Sequence, residues 1–510
     1  MPLVEMKSIT KVYPDGTVAL TGVDFEVSQG EIHGLLGENG AGKTTLAKIL
    51  SGLLSPTAGE IFVKGQRKRF PNPSKALMEG IGMVHQHFTL VPTFNALENI
   101  VLGFEGTTPL SILRLDNPKN RIISLMDETG LKFPLDVPVE SLPVGVQQRI
   151  EILKLLYRNV SVLILDEPTS ALTPIEVETL FAMLRSLKEG GRSVIFITHK
   201  LREVLETTHR ITVLRQGKVA GRLLTQQATA DKLAELMVGI TTIPTISRRS
   251  RPTGEAVLTV EGLHVRDERG KFAVRGVSFE VRAGEILAVA GVEGNGQSEL
   301  VEAITGLRPV EKGSVSIVGQ TSSTLSKGRP LGPRELYKVG LAHIPEDRRK
   351  LGLVLDFSVA ENSILGIHDE NRFRGRLDRL LWQRIIEFAR GLINRFGILA
   401  PGPKSKVRTL SGGNQQRLVV GRELVKSPRV LVAGQPTRGL DVAASHFIRE
   451  LLVKLRDDGK AILLVSADLD EVEQLADRIA VMYEGRLVAT IRPGEHTRKQ
   501  IGMLMGGLAV

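Results

Sequence analysis

The sequence of 510 residues predicts an α/β protein made of two tandem domains. Short apolar runs rich in Val and Ile, such as SVIFIT at 193–198 and AILLVS at 461–466, alternate with helix-like stretches. These runs lack polar–apolar alternation, which is typical of strands that are covered on both faces. The main motifs occur twice, about half a chain apart, which indicates a duplication rather than one large domain.

The repeat consists of four aligned pairs of segments. They are VALTGVDFEVSQGEI (18–32) with FAVRGVSFEVRAGEI (272–286), GLLGENGAGKTTL (34–46) with AVAGVEGNGQSEL (288–300), LPVGVQQR (142–149) with LSGGNQQR (410–417), and LDEPTSALT (165–173) with AGQPTRGLD (433–441). A unit of about 250 residues is too long for a solenoid repeat and indicates whole domains. We expect domains at 1–245 and 257–510, joined by a Pro- and Arg-containing linker at 246–256.

The elements follow the same order in each half. Strands are predicted at IHGLLG, SVLILD, SVIFIT and ITVLR in the first half, and at ILAVAG, RVLVAG, AILLVS and IAVMY in the second. The segments 95–160 and 358–428 depart from the alternation and are predicted to form a helical subdomain in each half. Strands that alternate with helices favour a sheet with right-handed crossovers.

Composition excludes several classes of protein. The chain has no Cys, so it can hold no disulfide, cysteine zinc site or thiol nucleophile. No apolar stretch approaches the roughly 18 residues of a membrane span, and the first residues lack the order of a secretory signal. The net charge of +11 suits nucleic acid, an anionic membrane surface or phosphate ligands as partners. Aromatic residues make up only 4%, which gives poor support to a stacking platform for single strands.

The segment GENGAGKT (37–44) has the pattern of a phosphate-binding loop. It follows a predicted strand and opens a predicted helix, so its glycines can turn backbone N–H groups toward phosphates at the helix N-terminus. Lys43 would neutralise the β- and γ-phosphates, and Thr44 would ligate Mg²⁺. The alternative, a chance glycine turn, does not require the lysine and threonine.

Two strand ends carry candidate catalytic groups. VLILDEP (162–168) ends in Asp166, a candidate for the Mg²⁺ shell, and Glu167, a candidate general base. A strand ending in two carboxylates is by itself most often structural, and the phosphate loop upstream is what favours the functional interpretation. His199 ends another predicted strand, where it could contact the γ-phosphate or be merely structural.

LSGGNQQR (410–417) is a second candidate anion site, because Ser411, Gly412 and Gly413 precede a predicted helix. In isolation the simpler interpretation is a helix cap followed by a tight turn.

Together these motifs resemble the ATP-binding cassette family, over essentially the whole chain and twice. The resemblance implies that Tyr13 stacks on adenine, that Gln86 senses the metal and γ-phosphate, and that ATP and Mg²⁺ are bound. Catalysis is then assigned to Glu167, His199, Gln86 and Lys43, and the metal to Thr44, Gln86 and Asp166. The implied nucleotide ligands are Tyr13, Gly37, Asn39, Gly40, Ala41, Gly42, Lys43, Thr44, Thr45, Ser411, Gly412, Gly413 and Asp441.

The two halves differ at every one of these catalytic positions. Tyr13, Lys43, Gln86, Asp166, Glu167 and His199 correspond to Asp267, Gln297, Glu346, Gly434, Gln435 and Ala467. The segment LSGGNQQR (410–417) resembles the signature of the family, and here the second half is the intact one, since the first half has Pro143 at the position of Ser411. In the loop that follows, Thr173 of the first half corresponds to Asp441 of the second. In the family two cassettes pair head to tail. The resemblance therefore implies one intact composite site, made of the first half's loop and the second half's signature, and one inert site.

Twin cassettes with a degraded second half resemble the ATPase subunits of simple-sugar importers, and more closely the nucleoside branch of that group. The segments that carry this are 82–103 and 343–365. The resemblance implies two separate membrane permease subunits, docked near 87–99 and after Glu346, an extracytoplasmic solute-binding protein, and a peripheral place on the cytoplasmic face of the membrane. No nucleic acid is expected. A simple sugar such as ribose or galactose is the alternative substrate, and a soluble ribosome-associated ATPase is the alternative of another class.

Overall fold

The structure is a computed structural model of the chain. It describes residues 2–85, 89–104, 115–169, 172–238, 253–292, 294–317, 320–323, 331–376 and 379–508. The chain divides into two compact units, Met1–Pro244 and Thr245–Val510. Most of the predicted linker at 246–256 lies outside the described residues. Within the described residues, no helix is both long and apolar enough to cross a membrane.

The first unit contains ten strands in two sheets. They are β1 (Val4–Val12), β2 (Val18–Val27), β3 (Ile32–Gly37), β4 (Ala58–Val63), β5 (Gln66–Lys68), β6 (Ile81–Val84), β7 (Val162–Asp166), β8 (Ser193–Thr198), β9 (Arg210–Arg215) and β10 (Lys218–Leu224). A four-stranded antiparallel sheet has the order β2-β1-β4-β5. A six-stranded sheet has the order β10-β9-β3-β8-β7-β6, in which only the β9–β10 pair is antiparallel.

Eight α-helices of the first unit are described. They are α1 (Lys43–Leu50), α2 (Pro73–Met78), α3 (Ala96–Val101), α4 (Asp116–Thr129), α5 (Val144–Tyr157), α6 (Pro174–Glu189), α7 (Leu201–Thr207) and α8 (Ala230–Val238), with 3₁₀ turns at Val139–Ser141 and Thr225–Gln227. The described part of the segment 95–160 contains helices and no strand, which confirms the predicted helical subdomain.

The second unit repeats this order. Its strands are β11 (Ala256–Arg266), β12 (Phe272–Arg282), β13 (Ile286–Ala290), β14 (Lys312–Ile317), β15 (Gln320–Ser323), β16 (Leu341–Ile344), β17 (Val430–Gly434), β18 (Ala461–Ser466), β19 (Arg478–Tyr483) and β20 (Arg486–Ile491). The sheets have the orders β12-β11-β14-β15 and β16-β17-β18-β13-β19-β20. All eight strands predicted from the apolar runs are confirmed, whereas the antiparallel sheets were not predicted.

The α-helices of the second unit also follow the first. They are α9 (Gln297–Ile304), α10 (Pro333–Lys338), α11 (Val359–Ser363), α12 (Trp382–Phe396), α13 (Gly412–Leu424), α14 (Val442–Asp457), α15 (Leu469–Leu475) and α16 (Arg498–Met505), with a π-helical turn at Arg348–Gly352 and a 3₁₀ turn at Val407–Thr409. Because α11, α12 and α13 fall within 358–428, the predicted helical segment of this half is confirmed as well.

The central strands are buried on both faces, which explains their unbroken apolar sequences. In β8, Val194 and Phe196 belong to the core that faces the helical subdomain, and Ile195 and Ile197 to the core that faces the antiparallel sheet. The second unit divides β18 between two cores in the same way. Burial of both faces fixes the register of these strands, and with it the positions at which their carboxyl ends present polar groups.

Candidate functional site

The loop between β3 and α1 is shaped by left-handed glycines. Gly40 has φ 82° and Gly42 has φ 101°. A Cβ at Gly42 would lie 2.5 Å from Leu20 Cδ2 and 2.8 Å from the Ala19 carbonyl oxygen of the preceding strand β2. A side chain there would have to displace backbone, so the loop can close against β2 only with glycine at this position.

Lys43, the first residue of α1, is buried beneath this loop. It is 5% exposed, and its ammonium donates to the carbonyl oxygens of Gly37 at 2.7 Å and Glu38 at 3.0 Å. Burial lowers the pKa of Lys43, and the carboxylates of Glu167, Asp166 and Glu38 oppose that shift. The ammonium is thus held by two neutral carbonyls, and the nearby carboxylates balance its charge through space.

Asp166, at the end of β7, lies within hydrogen-bonding reach of the next helix residue, Thr44. Burial raises the pKa of Asp166, as does the neighbouring charge of Glu167, while the hydrogen bond from Thr44 and the charge of Lys43 act against it. A hydroxyl and a carboxylate that share one position are oxygen ligands of the kind that Mg²⁺ prefers.

Glu167 is held next to His199 by a direct bond. The Glu167 Oε1 to His199 Nδ1 distance is 2.9 Å, and the Glu167 N–H donates to the Ile197 carbonyl at 2.9 Å. Glu167 has φ 49°, a left-handed conformation that directs its side chain away from the strand. Burial acts to raise the pKa of Glu167, but the hydrogen bond and charge of His199, with the charges of Lys43 and Lys200, hold that pKa below its usual value. The carboxylate is therefore ionised at neutral pH.

The remaining predicted residues of the first unit lie around this loop. Asn39 and Gly40 are exposed, Ala41 is buried, and the Tyr13 hydroxyl lies 3.3 Å from Thr45 Oγ1. Gln86 lies outside the described residues, so its predicted role stays a prediction. Ser411, Gly412, Gly413 and Asp441 belong to the second unit.

The second unit keeps the shape of the loop and loses its charge. Gly294 and Gly296 have φ 89° and 99°, and the amide of Gln297 donates to the Val292 carbonyl at 2.9 Å, much as Lys43 donates to its own loop. The amide is neutral, so it fills the space of the ammonium without offering a cation to phosphate.

The strand ends of the second unit also carry uncharged residues where the first unit has carboxylates and an imidazole. Gln435 keeps the left-handed backbone of Glu167, with φ 43°, and its Oε1 accepts from the Ala467 N–H at 3.3 Å. Gly434 stands where the first unit has Asp166. The second unit therefore retains the backbone conformation of this strand end, while the carboxylates and the imidazole of the first unit are absent there.

The two signature loops differ in their capping. Ser411 caps α13, and its hydroxyl accepts from the Asn414 N–H at 3.4 Å and the Asn414 side chain at 2.8 Å. Pro143 precedes α5 with no side-chain cap. Asp441 caps α14 by accepting from the Ala444 N–H at 2.6 Å, and Thr173 caps α6 in a capping box with Glu176. The helix-cap interpretation of Ser411 is thus correct for the unit by itself.

Sequence reasoning missed a set of buried supports that both units share. In the first unit the Glu203 carboxylate accepts from Thr169 at 2.6 Å and Thr198 at 2.9 Å, which ties together the loops after β7 and β8. In the second unit Glu471 accepts from Thr437 and Ser466, both at 2.7 Å. The repeated Pro-Thr dipeptides, 168–169 and 436–437, were the available signal.

The signature helices are tied to the same loops. Gln148 Nε2 donates to the Pro168 carbonyl at 2.7 Å, and Gln416 Nε2 donates to the Pro436 carbonyl at 2.8 Å. Both glutamines are buried. The repeated QQR tripeptide thus joins the helical subdomain of each unit to the loop that follows the catalytic strand or its degenerate copy.

A small cavity of about 50 Å³ lies beside the degenerate loop of the second unit. Its lining includes Gln297, Ser298, His343, Glu346 and Gln435. His343 Nε2 is buried without a hydrogen-bond partner among the described residues. Burial lowers the pKa of His343 to about 4, and the charge of Glu423 only partly opposes this.

Comparison with known proteins gives full-length matches. Residues 20–170 and 274–438 match the family model described as ABC transporter. The chain is 44% identical over 507 residues to the guanosine import ATP-binding protein NupO of Bacillus subtilis (strain 168), covering 99% of this chain and 97% of that protein. It is 43% identical to the nucleoside import ATP-binding protein NupA of Lactococcus lactis subsp. cremoris (strain MG1363), covering 99% and 98%.

A sugar-import relative and a solved structure match as well. The ribose import ATP-binding protein RbsA 1 of Rubrobacter xylanophilus (strain DSM 9941 / JCM 11954 / NBRC 16129 / PRD-1) is 41% identical, covering 98% of this chain and 97% of that protein. The crystal structure of archaeal ribosome recycling factor aABCE1 with ribosomal stalk protein aP1 is 19% identical with a TM-score of 0.61, covering 95% of this chain and 90% of that one. At that identity it supports the fold alone.

The buried imidazole of His343 predicts a pH-dependent stability. Its folded pKa lies below the ordinary value, so the unfolded chain binds a proton first as the pH falls below about 6.5, and the free energy of unfolding decreases. We expect His343→Met to remove a loss on the order of 1–2 kcal/mol between pH 7.5 and pH 5. Denaturant unfolding of the whole chain at both pH values measures this.

His368→Gln is the matched control for that experiment, because His368 is exposed in the same unit. Met is chosen for the variant because Met83 occupies the corresponding position of β6. An equal pH dependence in wild type and His343→Met would contradict the prediction.

Proposed function

The chain belongs to the ABC transporter family, and we propose that it is the ATP-hydrolysing subunit of an importer that takes up a nucleoside. Relatives named for guanosine and nucleoside import, 44% and 43% identical over nearly their whole length, support this substrate class. A relative named for ribose import is 41% identical, so a simple sugar is the second candidate. The observation that carries the ATPase assignment is the Glu167–His199 pair beside the buried Lys43, which the second unit replaces with neutral residues.

Several residues of the first unit have separate proposed roles at the site. The loop 37–44 and Lys43 bind the phosphates of ATP, using backbone N–H groups and one buried cation. Glu167 is ionised and its rotation is restricted by His199, so it can accept a proton from an attacking water. Tyr13, half-buried beside α1, is the proposed adenine contact. Binding of ATP follows from the family, and these individual roles are proposals.

Thr44 and Asp166, with Gln86, are the proposed residues that hold Mg²⁺. The hydroxyl of Thr44 and the carboxylate of Asp166 fit a hard cation that takes oxygen ligands and keeps several waters. When bound, Mg²⁺ would neutralise charge on the phosphates.

Hydrolysis is proposed to require both units. The first unit has the cation, carboxylates and imidazole, and the second has the capped signature Ser411, Gly412 and Gly413 and the cap Asp441. Neither unit carries a full set, so we propose one productive site per chain.

The proposed partners are two integral membrane permease subunits and, through them, an extracytoplasmic solute-binding protein. The chain would lie on the cytoplasmic face of the membrane and contact the membrane peripherally. In this arrangement ATP binding and hydrolysis drive the permeases, and the transported molecule does not contact this chain.

Glu167→Gln should abolish hydrolysis and retain ATP binding. The amide keeps the shape and the contact to His199 but cannot accept a proton, so steady-state phosphate release should fall by about 10²–10⁴-fold. Binding of a fluorescent ATP analogue should change by less than about threefold. The matched control is Gln435→Glu at the corresponding position of the second unit, which should leave the rate unchanged. Wild-type turnover in Glu167→Gln would remove Glu167 from catalysis.

Ser411→Arg should disable the chain although it lies in the unit without catalytic groups. The change removes the capping hydroxyl and places a bulky side chain at the helix N-terminus, so ATPase activity should fall by about 10²-fold or more. Pro143→Arg alters the corresponding position of the first unit and should retain most of the activity. If the two variants behave alike, the dependence of hydrolysis on the second unit's signature is wrong.

Reconstitution tests the substrate class. We expect the chain, assembled with its permease subunits in proteoliposomes that contain the solute-binding protein, to hydrolyse ATP faster when guanosine or another nucleoside is added. Stimulation by ribose alone would establish the sugar alternative. Stimulation by neither, with normal basal ATPase activity, would contradict the proposed importer role for both substrate classes.

A further inference from the structure

The degenerate loop of the second unit is bridged by a carboxylate that uses both of its oxygens. Ser298, in the first turn of α9, donates its hydroxyl to Glu346 Oε2 at 2.9 Å. Arg438, in the loop after β17, donates Nη1 to Glu346 Oε1 at 2.8 Å. Glu346 itself follows β16. One side chain therefore connects three segments that surround the place where a nucleotide loop would hold phosphate.

The same chain of contacts continues to the signature loop. The backbone carbonyl of Arg438 accepts from Arg348 Nη1 at 3.2 Å. The Arg348 guanidinium lies against Gly412, since a Cβ built there would be 2.7 Å from Arg348 Nη2. Gly412 is the first residue of α13, next to Ser411. The contacts thus run without a break from α9 to the signature.

The first unit cannot form this network, because its sequence lacks the charged members. The positions of Glu346, Arg348 and Arg438 correspond in the repeat to Gln86, Phe88 and Ser170. These correspondences follow from the aligned motifs HQHF and HIPEDR and from LDEPTS and AGQPTR. The network is therefore a feature of the unit that has lost its cation, and it arose at the positions that surround the lost site.

The network also bears on what this loop can bind. The Glu346 carboxylate lies beside a helix N-terminus that has no lysine, and its charge is paired with that of Arg438. The Glu346–Arg438 pair is partly exposed, with side chains 32% and 50% accessible. Pairs of this kind add little to global stability. Its effect should therefore be sought in the position of the segments it joins.

We propose that Ser298, Glu346, Arg438 and Arg348 form a nucleotide-independent brace that holds the signature loop Ser411–Gly413 in place. All four are positioning residues that act through the signature. This inference rests on the proposed function, in which that signature is needed for hydrolysis of the ATP bound by the first unit. The second unit then presents its signature constantly, without requiring a nucleotide of its own.

The experiment measures hydrogen exchange at the signature loop, which reports on the brace, and the ATPase rate, which reports on the role of the brace in hydrolysis. In Glu346→Ala, backbone amides of the peptide covering 411–414 should exchange hydrogen at least about threefold faster than in wild type without nucleotide. The maximal ATPase rate should fall about three- to tenfold, with KM for ATP changed less than twofold, because a misplaced group lowers the rate of the catalytic step. The charge-swapped double variant Glu346→Arg with Arg438→Glu should restore both.

Glu280→Ala is the matched control, because it breaks the Glu280–Arg282 pair of the same unit, whose side chains are 39% and 43% exposed. It should alter neither readout. Unchanged exchange at 411–414 in Glu346→Ala overturns the brace itself. Faster exchange with an unchanged rate overturns its role in hydrolysis. If Ser411→Arg also has full activity, the proposed function has failed rather than the brace, since exchange would still report the contact.

Discussion

The candidate site of the first unit depends on the buried ammonium of Lys43. Lys43 is removed from water beneath the glycine loop and is held by two backbone carbonyls, which cannot neutralise its charge. Its charge is balanced only through space, by the carboxylates at the neighbouring strand end. Because Lys43 is only 5% exposed, solvent screens its charge less than it would screen a surface lysine. The parallel sheet places Asp166 and Glu167 near the glycine loop, because the carboxyl ends of β3 and β7 lie at the same edge of the sheet.

The second unit has a similar glycine loop with no ammonium in it. Gln297 takes the same path into its loop and makes the corresponding hydrogen bond, so the loop keeps its glycines and its shape. Without the ammonium there is no reason to keep Asp and Glu at the strand end, and Gly434 and Gln435 stand there. Gln435 even retains the left-handed backbone of Glu167. The two units thus differ in these side chains, while the backbone conformation at the glycines and at this strand end is shared.

What was preserved is the connection between catalytic loop and signature helix. The buried Gln148 and Gln416 bonds to proline carbonyls, and the Glu203 and Glu471 bonds to threonines, occur in both units. These bonds hold the helical subdomain of each unit at a defined place on its core. In the second unit, the charged contacts around Glu346 add to these shared supports.

The sequence by itself determined the duplication, the eight central strands, the helical segments and the identity of the phosphate loop, because each depends on local spacing or on unbroken apolar runs. It could also compare the two halves residue by residue, since that needs only their alignment. It gave no indication of the antiparallel sheets, whose edges lack a strong pattern. Only the tertiary structure showed that His199 bonds to Glu167, that Arg348 contacts Gly412, and that the buried carboxylates of Glu203 and Glu471 link neighbouring loops. The Glu167–His199, Thr169–Glu203 and Arg348–Gly412 contacts join residues 32, 34 and 64 positions apart in the chain, and only packing of separate strands and helices decides which such pairs meet.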